Sequence, residues 1–179
     1  MRQTSERKAA DVDGIAISLT IDGKLSLFIL LAEEGLINRM GTGSLIENEE
    51  ELCIGRGDPS IFRQVRAQLT EGMLRALGRE YEFGEIRGAS CKLEIVFQFK
   101  DKTSDGLALL YGSESQGPPK DARDIVTAAV FLTETWYQEF RKTAAKSGRI
   151  SGTPANRTND NPRPSVLDRL RNCLRAGWR

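Results

Sequence analysis

The sequence predicts an α+β fold, a two-layer sandwich of a mainly antiparallel sheet of about five strands and two long helices, in the order β-β-β-α-β-β-α. Three observations carry this. Apolar residues alternate with polar ones over several short stretches, the period of a half-buried strand. Two longer stretches repeat apolar residues at helical spacing. The strand stretches follow one another through tight turns, as an antiparallel sheet requires.

The elements follow in chain order. Residues 1–13 are polar and read as an N-terminal arm. Ile15, Ile17, Leu19 and Ile21 alternate with small or polar residues, and Leu25, Leu27, Ile29 and Leu31 repeat the pattern after Asp22-Gly23. A two-residue loop with unbroken pairing would set the two apolar series on opposite faces. A three-residue loop with Gly23 as a bulge puts them on one face, pairing Thr20 with Lys24, Leu19 with Leu25, Ile17 with Leu27 and Ile15 with Ile29. Phe28 and Leu30 then lie on the other face, which marks a central strand covered on both sides. Glu33-Glu34-Gly35 turns the chain into a third strand, residues 36–40, closed by Gly41-Thr42-Gly43-Ser44. An acidic loop (Glu47, Glu49, Glu50, Glu51) precedes a short strand at 52–54.

Asp58-Pro59 opens a helix, with Asp as cap and Pro at the first helical position. Its stripe is Phe62, Val65, Leu69, Met73 and Leu77, with Gly78 as the stop. Leu93, Ile95, Phe97 and Phe99 mark the next strand, a turn is expected at 103–106, and a further strand covers 107–111. Gly112-Ser113-Glu114-Ser115 and a Pro pair lead into the longest helix, 121–146, striped by Ile125, Ala129, Leu132, Trp136, Phe140 and Ala144 and broadened by Val126, Val130 and Tyr137. The domain is thus expected over 14–147. Residues 148–164 are rich in Gly, Ser, Thr, Asn and Pro and read as a linker. Residues 165–179 read as a basic amphipathic helix, with Leu167, Leu170 and Leu174 on one face.

Two stretches align by eye. Lys24 to Leu31, Gly35-Leu36 and Met40-Gly41-Thr42 match Lys92 to Phe99, Gly106-Leu107 and Tyr111-Gly112-Ser113. An internal duplication accounts for this; so does the generic alternation of amphipathic hairpins.

Composition narrows the chemistry. The chain of 179 residues contains no histidine, which removes Ser-His-Asp and Cys-His nucleophiles, the His-Glu-x-x-His metal helix and any imidazole base. Three cysteines, Cys53, Cys91 and Cys173, fit neither disulfide nor zinc spacing. No cofactor or metal is predicted. The N-terminus lacks the apolar run of a secretory signal, and no stretch approaches the roughly 18 apolar residues of a membrane span. A soluble protein of the reducing cytoplasm is expected. Arg56-Gly57-Asp58 matches an adhesion tripeptide, but Asp58 is already needed as a helix cap.

The candidate binding residues come from two Gly-hydroxyl loops and the tail. Arg39, Thr42 and Ser44 surround the first loop, and Tyr111, Ser113 and Ser115 the second; backbone N–H groups and hydroxyls there would suit an anion. Neither loop opens a helix as a phosphate loop does, and plain strand-ending turns explain both. Arg169, Arg171 and Arg175 lie away from the leucine face of the tail. The net charge of +1 hides a division, since residues 148–179 hold seven Arg against two Asp. A helix of about three turns is marginal alone in water, so the tail either docks on its own domain or folds on a partner.

The leading functional expectation is a non-catalytic intracellular interaction or regulatory module that binds a protein. The alternatives are nucleic-acid binding through residues 165–179, and a small-ligand binder or enzyme using the two loops. A homo-oligomer is compatible with each.

Overall fold

The computed structural model describes residues 7–44 and 51–146. The chain divides into two compact units, residues 1–137 and 138–179. The expected linker, the tail helix and residues 45–50 of the acidic loop lie outside the described residues.

The fold is α+β. Seven strands form one sheet: β1 (Val12–Ile21), β2 (Lys24–Ala32), β3 (Leu36–Met40), β4 (Cys53–Arg56), β5 (Glu80–Glu82), β6 (Ser90–Phe99) and β7 (Ser104–Gly112). Their order is β4-β3-β2-β1-β6-β7-β5, antiparallel throughout except for β5 on β7. The helices packed against it are α1 (Pro59–Arg66), the single turn α2 (Glu71–Arg75) and α3 (Lys120–Lys146). Among the described residues no helix is long and apolar enough to cross a membrane.

The core follows from strand alternation. Ile15, Ile17, Leu27, Ile29, Leu31, Ile37, Leu93, Ile95, Phe97, Leu107 and Leu109 form one buried cluster with Phe62 and Val65 of α1, Met73 of α2, and Ala122, Ile125 and Ala129 of α3. The opposite sheet face carries Ala16, Ser18, Phe28, Leu30, Glu94, Val96 and Gln98, all buried outside that cluster. Burial of Phe28 and Leu30 agrees with the reading of β2 as a strand covered on both sides.

The first hairpin differs from expectation in where it stores its extra residue. The turn is the two-residue Asp22-Gly23, with both residues at positive φ, and Ile21 pairs with Lys24. Thr20 then pairs with Leu25, Leu19 with Leu27, Ile17 with Ile29 and Ile15 with Leu31, so the expected pairs of Leu19, Ile17 and Ile15 are each displaced by two residues and Ser26 is a bulge. The apolar series still share one face, as the pattern demands, but the bulge sits in the strand and not in the loop. Asp22 is also an anchor, since its N–H donates to the Ser90 carbonyl and its Oδ1 accepts from the Ser90 N–H, each at 2.8 Å.

Three further expectations are corrected. The helix predicted from Asp58 to Gly78 is broken, because the Thr70 hydroxyl accepts from the Met73 N–H (3.2 Å) and caps a second helix. The turn expected at 103–106 lies earlier, at 100–103, where the Asp101 carboxylate accepts from the Thr103 N–H (3.0 Å). Gly106 is inside β7, where a Cβ would press on the Ile95 carbonyl. On α3 the fully buried line runs Ala122, Ile125, Ala129, Thr133 and the expected Tyr137, while Leu132 and Trp136 pack against the core only partly buried beside it.

The topology also bears on the aligned stretches. β2 and β6 flank β1, both antiparallel to it, and therefore run in the same direction. β3 continues the sheet on one side and β7 on the other, while Leu27, Ile29, Ile95 and Phe97 face the same core. The two hairpins are mirror-related about β1. No rotation superposes mirror images, so the aligned stretches do not form a rotational pseudo-symmetry.

Candidate functional site

The residues singled out from sequence hold the fold together. Arg39 projects from β3 onto the core face and is fully buried. Its Nη1 donates to the Val130 carbonyl (3.0 Å) and the Thr133 hydroxyl (3.0 Å), and its Nη2 to Glu134 Oε2 (2.6 Å). The guanidinium lies over the Tyr137 ring, 4.5 Å from its centre, an attractive cation–π arrangement. The Tyr137 hydroxyl accepts the Gly41 N–H (3.1 Å). Arg39 therefore joins β3 to α3. Its Nε is buried with no partner among the described residues.

The first Gly-hydroxyl loop docks on the bulge. The Gly43 N–H donates to the Ser26 carbonyl (3.1 Å), which the bulge has released from the ladder. A Cβ at Gly41 would overlap that carbonyl, and Gly41 has φ +73°. Only glycine meets both demands. Thr42 and Ser44 make a local contact, the Ser44 N–H donating to the Thr42 hydroxyl (3.4 Å).

The second loop spends its hydroxyls on the segment before β6. Ser113 Oγ accepts the Ala89 N–H (2.9 Å), while Ser115 Oγ accepts the Arg87 N–H (3.1 Å) and donates to the Glu85 carbonyl (2.6 Å). A Cβ at Gly112 would overlap the Arg87 backbone. Tyr111 pairs with Cys91 across β7 and β6. Burial, then the neighbouring Cys91, pushes the Tyr111 phenol up. Burial, then Asp22, pushes the Cys91 thiol up. Both groups thus stay neutral near pH 7 and are poor nucleophiles.

The two loops close the same end of the sheet, but β2, β1 and β6 lie between β3 and β7. Four strand spacings put them roughly 19 Å apart. Arg169, Arg171 and Arg175 lie outside the described residues. Among the described residues no group of three or more Cys, Asp or Glu is placed to hold a metal ion.

What sequence reasoning did not single out is the unlike character of the two sheet edges. β5 presents exposed Glu80 and Glu82, and charge on an edge strand discourages further pairing. β4 presents Ile54, 57% exposed, beside Leu52, 38% exposed. The Gly57 N–H donates to the Gly35 carbonyl (2.9 Å), which makes Leu36 and Arg56 a pair without mutual hydrogen bonds. By alternation Gly55 and Cys53 bond to β3, while the backbone groups of Ile54 and Arg56 point outward. The Arg56 carbonyl accepts the Trp136 indole N–H (3.0 Å). The outward N–H and C=O of Ile54 have no partner among the described residues. A signal existed in the sequence: an apolar Leu52-Cys53-Ile54 between an acidic run and a helix cap is too short for a central strand.

No protein-family model matches the chain, and no curated protein matches it in sequence.

Proposed function

We propose that the chain is a non-catalytic intracellular interaction or regulatory module that binds a protein partner. The observation that carries this reading is the β4 edge, where exposed Leu52 and Ile54 adjoin an outward backbone pair. The groups that would support chemistry are engaged elsewhere: Arg39 in the contact of β3 with α3, and Ser113 and Ser115 in the segment before β6. The free Cys91 thiol fits the reducing cytoplasm proposed for it. The test is affinity capture with the full chain and with Ile54→Lys, at physiological salt, followed by cross-link mapping. A partner that maps to residues 52–56 and is lost with Ile54→Lys supports the reading. Recovery of no partner refutes it.

A second reading rests on the seven Arg of residues 148–179. Residues 165–179 would form a basic helix, tethered by 148–164, that binds nucleic acid. Affinity should then fall steeply with salt, and Ala at Arg169, Arg171 and Arg175 should reduce the log–log salt slope by about 3. Salt-independent binding removes this reading.

A further inference from the structure

We propose that β4 takes up, by strand addition, an extended segment of a protein partner with the pattern acidic–x–apolar–x–apolar followed by basic residues. The proposal rests on the protein-binding reading and specifies its partner. Leu52, Ile54 and Arg56 share one side of the strand by alternation, and all three are exposed. A guest residue opposite Ile54 would exchange both backbone hydrogen bonds with it, the closely bonded pair of an antiparallel ladder. Guest side chains opposite Ile54 and Leu52 would bury apolar surface against them.

For an antiparallel guest, the kind already paired on the other side of β4, charge sets the order of residues. Arg56, at the C-terminal end of β4, makes no ion pair among the described residues. Glu51 is exposed at the other end. An antiparallel guest places its N-terminal residue by Arg56 and its C-terminal residues by Glu51. Acid first and base last is thus the matched order; the reverse order sets like charges together, which is unfavourable. Trp136 bounds the site, because its indole already occupies the Arg56 carbonyl. The ladder must be short and centred on Ile54. The opposite edge offers no equivalent, since Glu80 and Glu82 flank its single central residue, Tyr81.

The probe is a fluorescein-labelled peptide, Glu-Thr-Val-Thr-Val-Lys-Lys, titrated with the full chain by fluorescence anisotropy. Its charge-reversed counterpart is Lys-Thr-Val-Thr-Val-Glu-Glu. The chain should bind the first peptide and discriminate against the second. Ile54→Pro deletes an N–H that β3 does not use, so thermal melting should be little changed while the first peptide binds about tenfold more weakly. Arg56→Glu should weaken the first peptide and strengthen the second, a swap that a loss of fold cannot produce. Equal binding of both peptides overturns the proposal, as does absence of binding at about 1 mM or indifference to both variants. Sedimentation supplies a further outcome: a dimer that dissociates in Ile54→Pro makes a second copy the occupant, and also overturns it. If capture finds a partner at β4 and neither peptide binds, the guest chemistry fails while the protein-binding reading stands.

Discussion

Replacing Arg39 tests how β3 is joined to α3. Arg39→Ala removes a fully buried side chain. The ion pair itself contributes little, because the Glu134 side chain is 43% exposed, and such pairs are worth at most about 1 kcal/mol. The other partners are not stranded: the Thr133 hydroxyl still donates to the Ala129 carbonyl (2.7 Å). The loss is dominated by the cavity left by the buried methylenes and by the stacking on Tyr137. Together these come to about 3–4 kcal/mol. Arg39→Met keeps most of the volume and deletes the unpartnered Nε, so it should cost only about 1 kcal/mol. Urea unfolding of both variants provides the measurement, with the midpoint falling and the slope unchanged. Thermal midpoints should drop by roughly 6–16 °C for Ala and by less than half that for Met. If Met is as damaging as Ala, the ionic contacts dominate and the packing account is refuted. If Ala costs less than about 1 kcal/mol, Arg39 does not join the two elements at all.

Three further outcomes follow from the same contacts. Gly41→Ala meets both the Ser26 carbonyl and a positive φ, so it should destabilise by at least about 1–2 kcal/mol in urea melts, whereas Gly23→Ala has open space and pays only for its φ. Asp58 is held below its ordinary 3.8 chiefly by the Ser60 N–H; a depressed carboxylate contributes fully above that value and loses its contribution as pH falls through the lower folded value, so Asp58→Asn should flatten the acid side of the stability profile, and an unchanged profile refutes the cap. Burial raises the Cys91 thiol, so iodoacetamide at mildly alkaline pH should label Cys91 much more slowly in the native chain than in the unfolded one, as read by mass spectrometry of its peptide.

Legibility in the sequence followed how local the determining physics is. The Gly35 turn, the Asp58 cap and the long helix rest on contacts within a few residues, and their positions agree with the pattern. The break at Thr70 was hidden because Leu69, Met73 and Leu77 keep helical spacing across it, while the hydroxyl that caps the second turn also donates to Asp121 (2.6 Å), far along the chain. β5 escaped because three residues pair in parallel with a strand that comes later. Gly106 reads as a turn residue, although its real constraint is the close approach of β6. The hydroxyls of Ser113 and Ser115 lie at a strand end, as the pattern implies. Their partners, at Glu85, Arg87 and Ala89, belong to a segment whose course no period reveals. The β4 edge depends on sheet order, which is the least local property of all.

Ser26 is one residue more than the hairpin needs. Without it, a two-residue turn at Asp22-Gly23 would pair Leu19 with Leu27 in an uninterrupted ladder, and every later pair would be unchanged. Register therefore does not require this residue; the attachment of the next connection does. Its displaced carbonyl is the point to which Gly43 is tied, and from Gly43 the chain sets out toward β4. Removing Ser26 should leave the central sheet intact and release that tether, so a single surplus residue in one strand fixes where the connection after β3 is fastened.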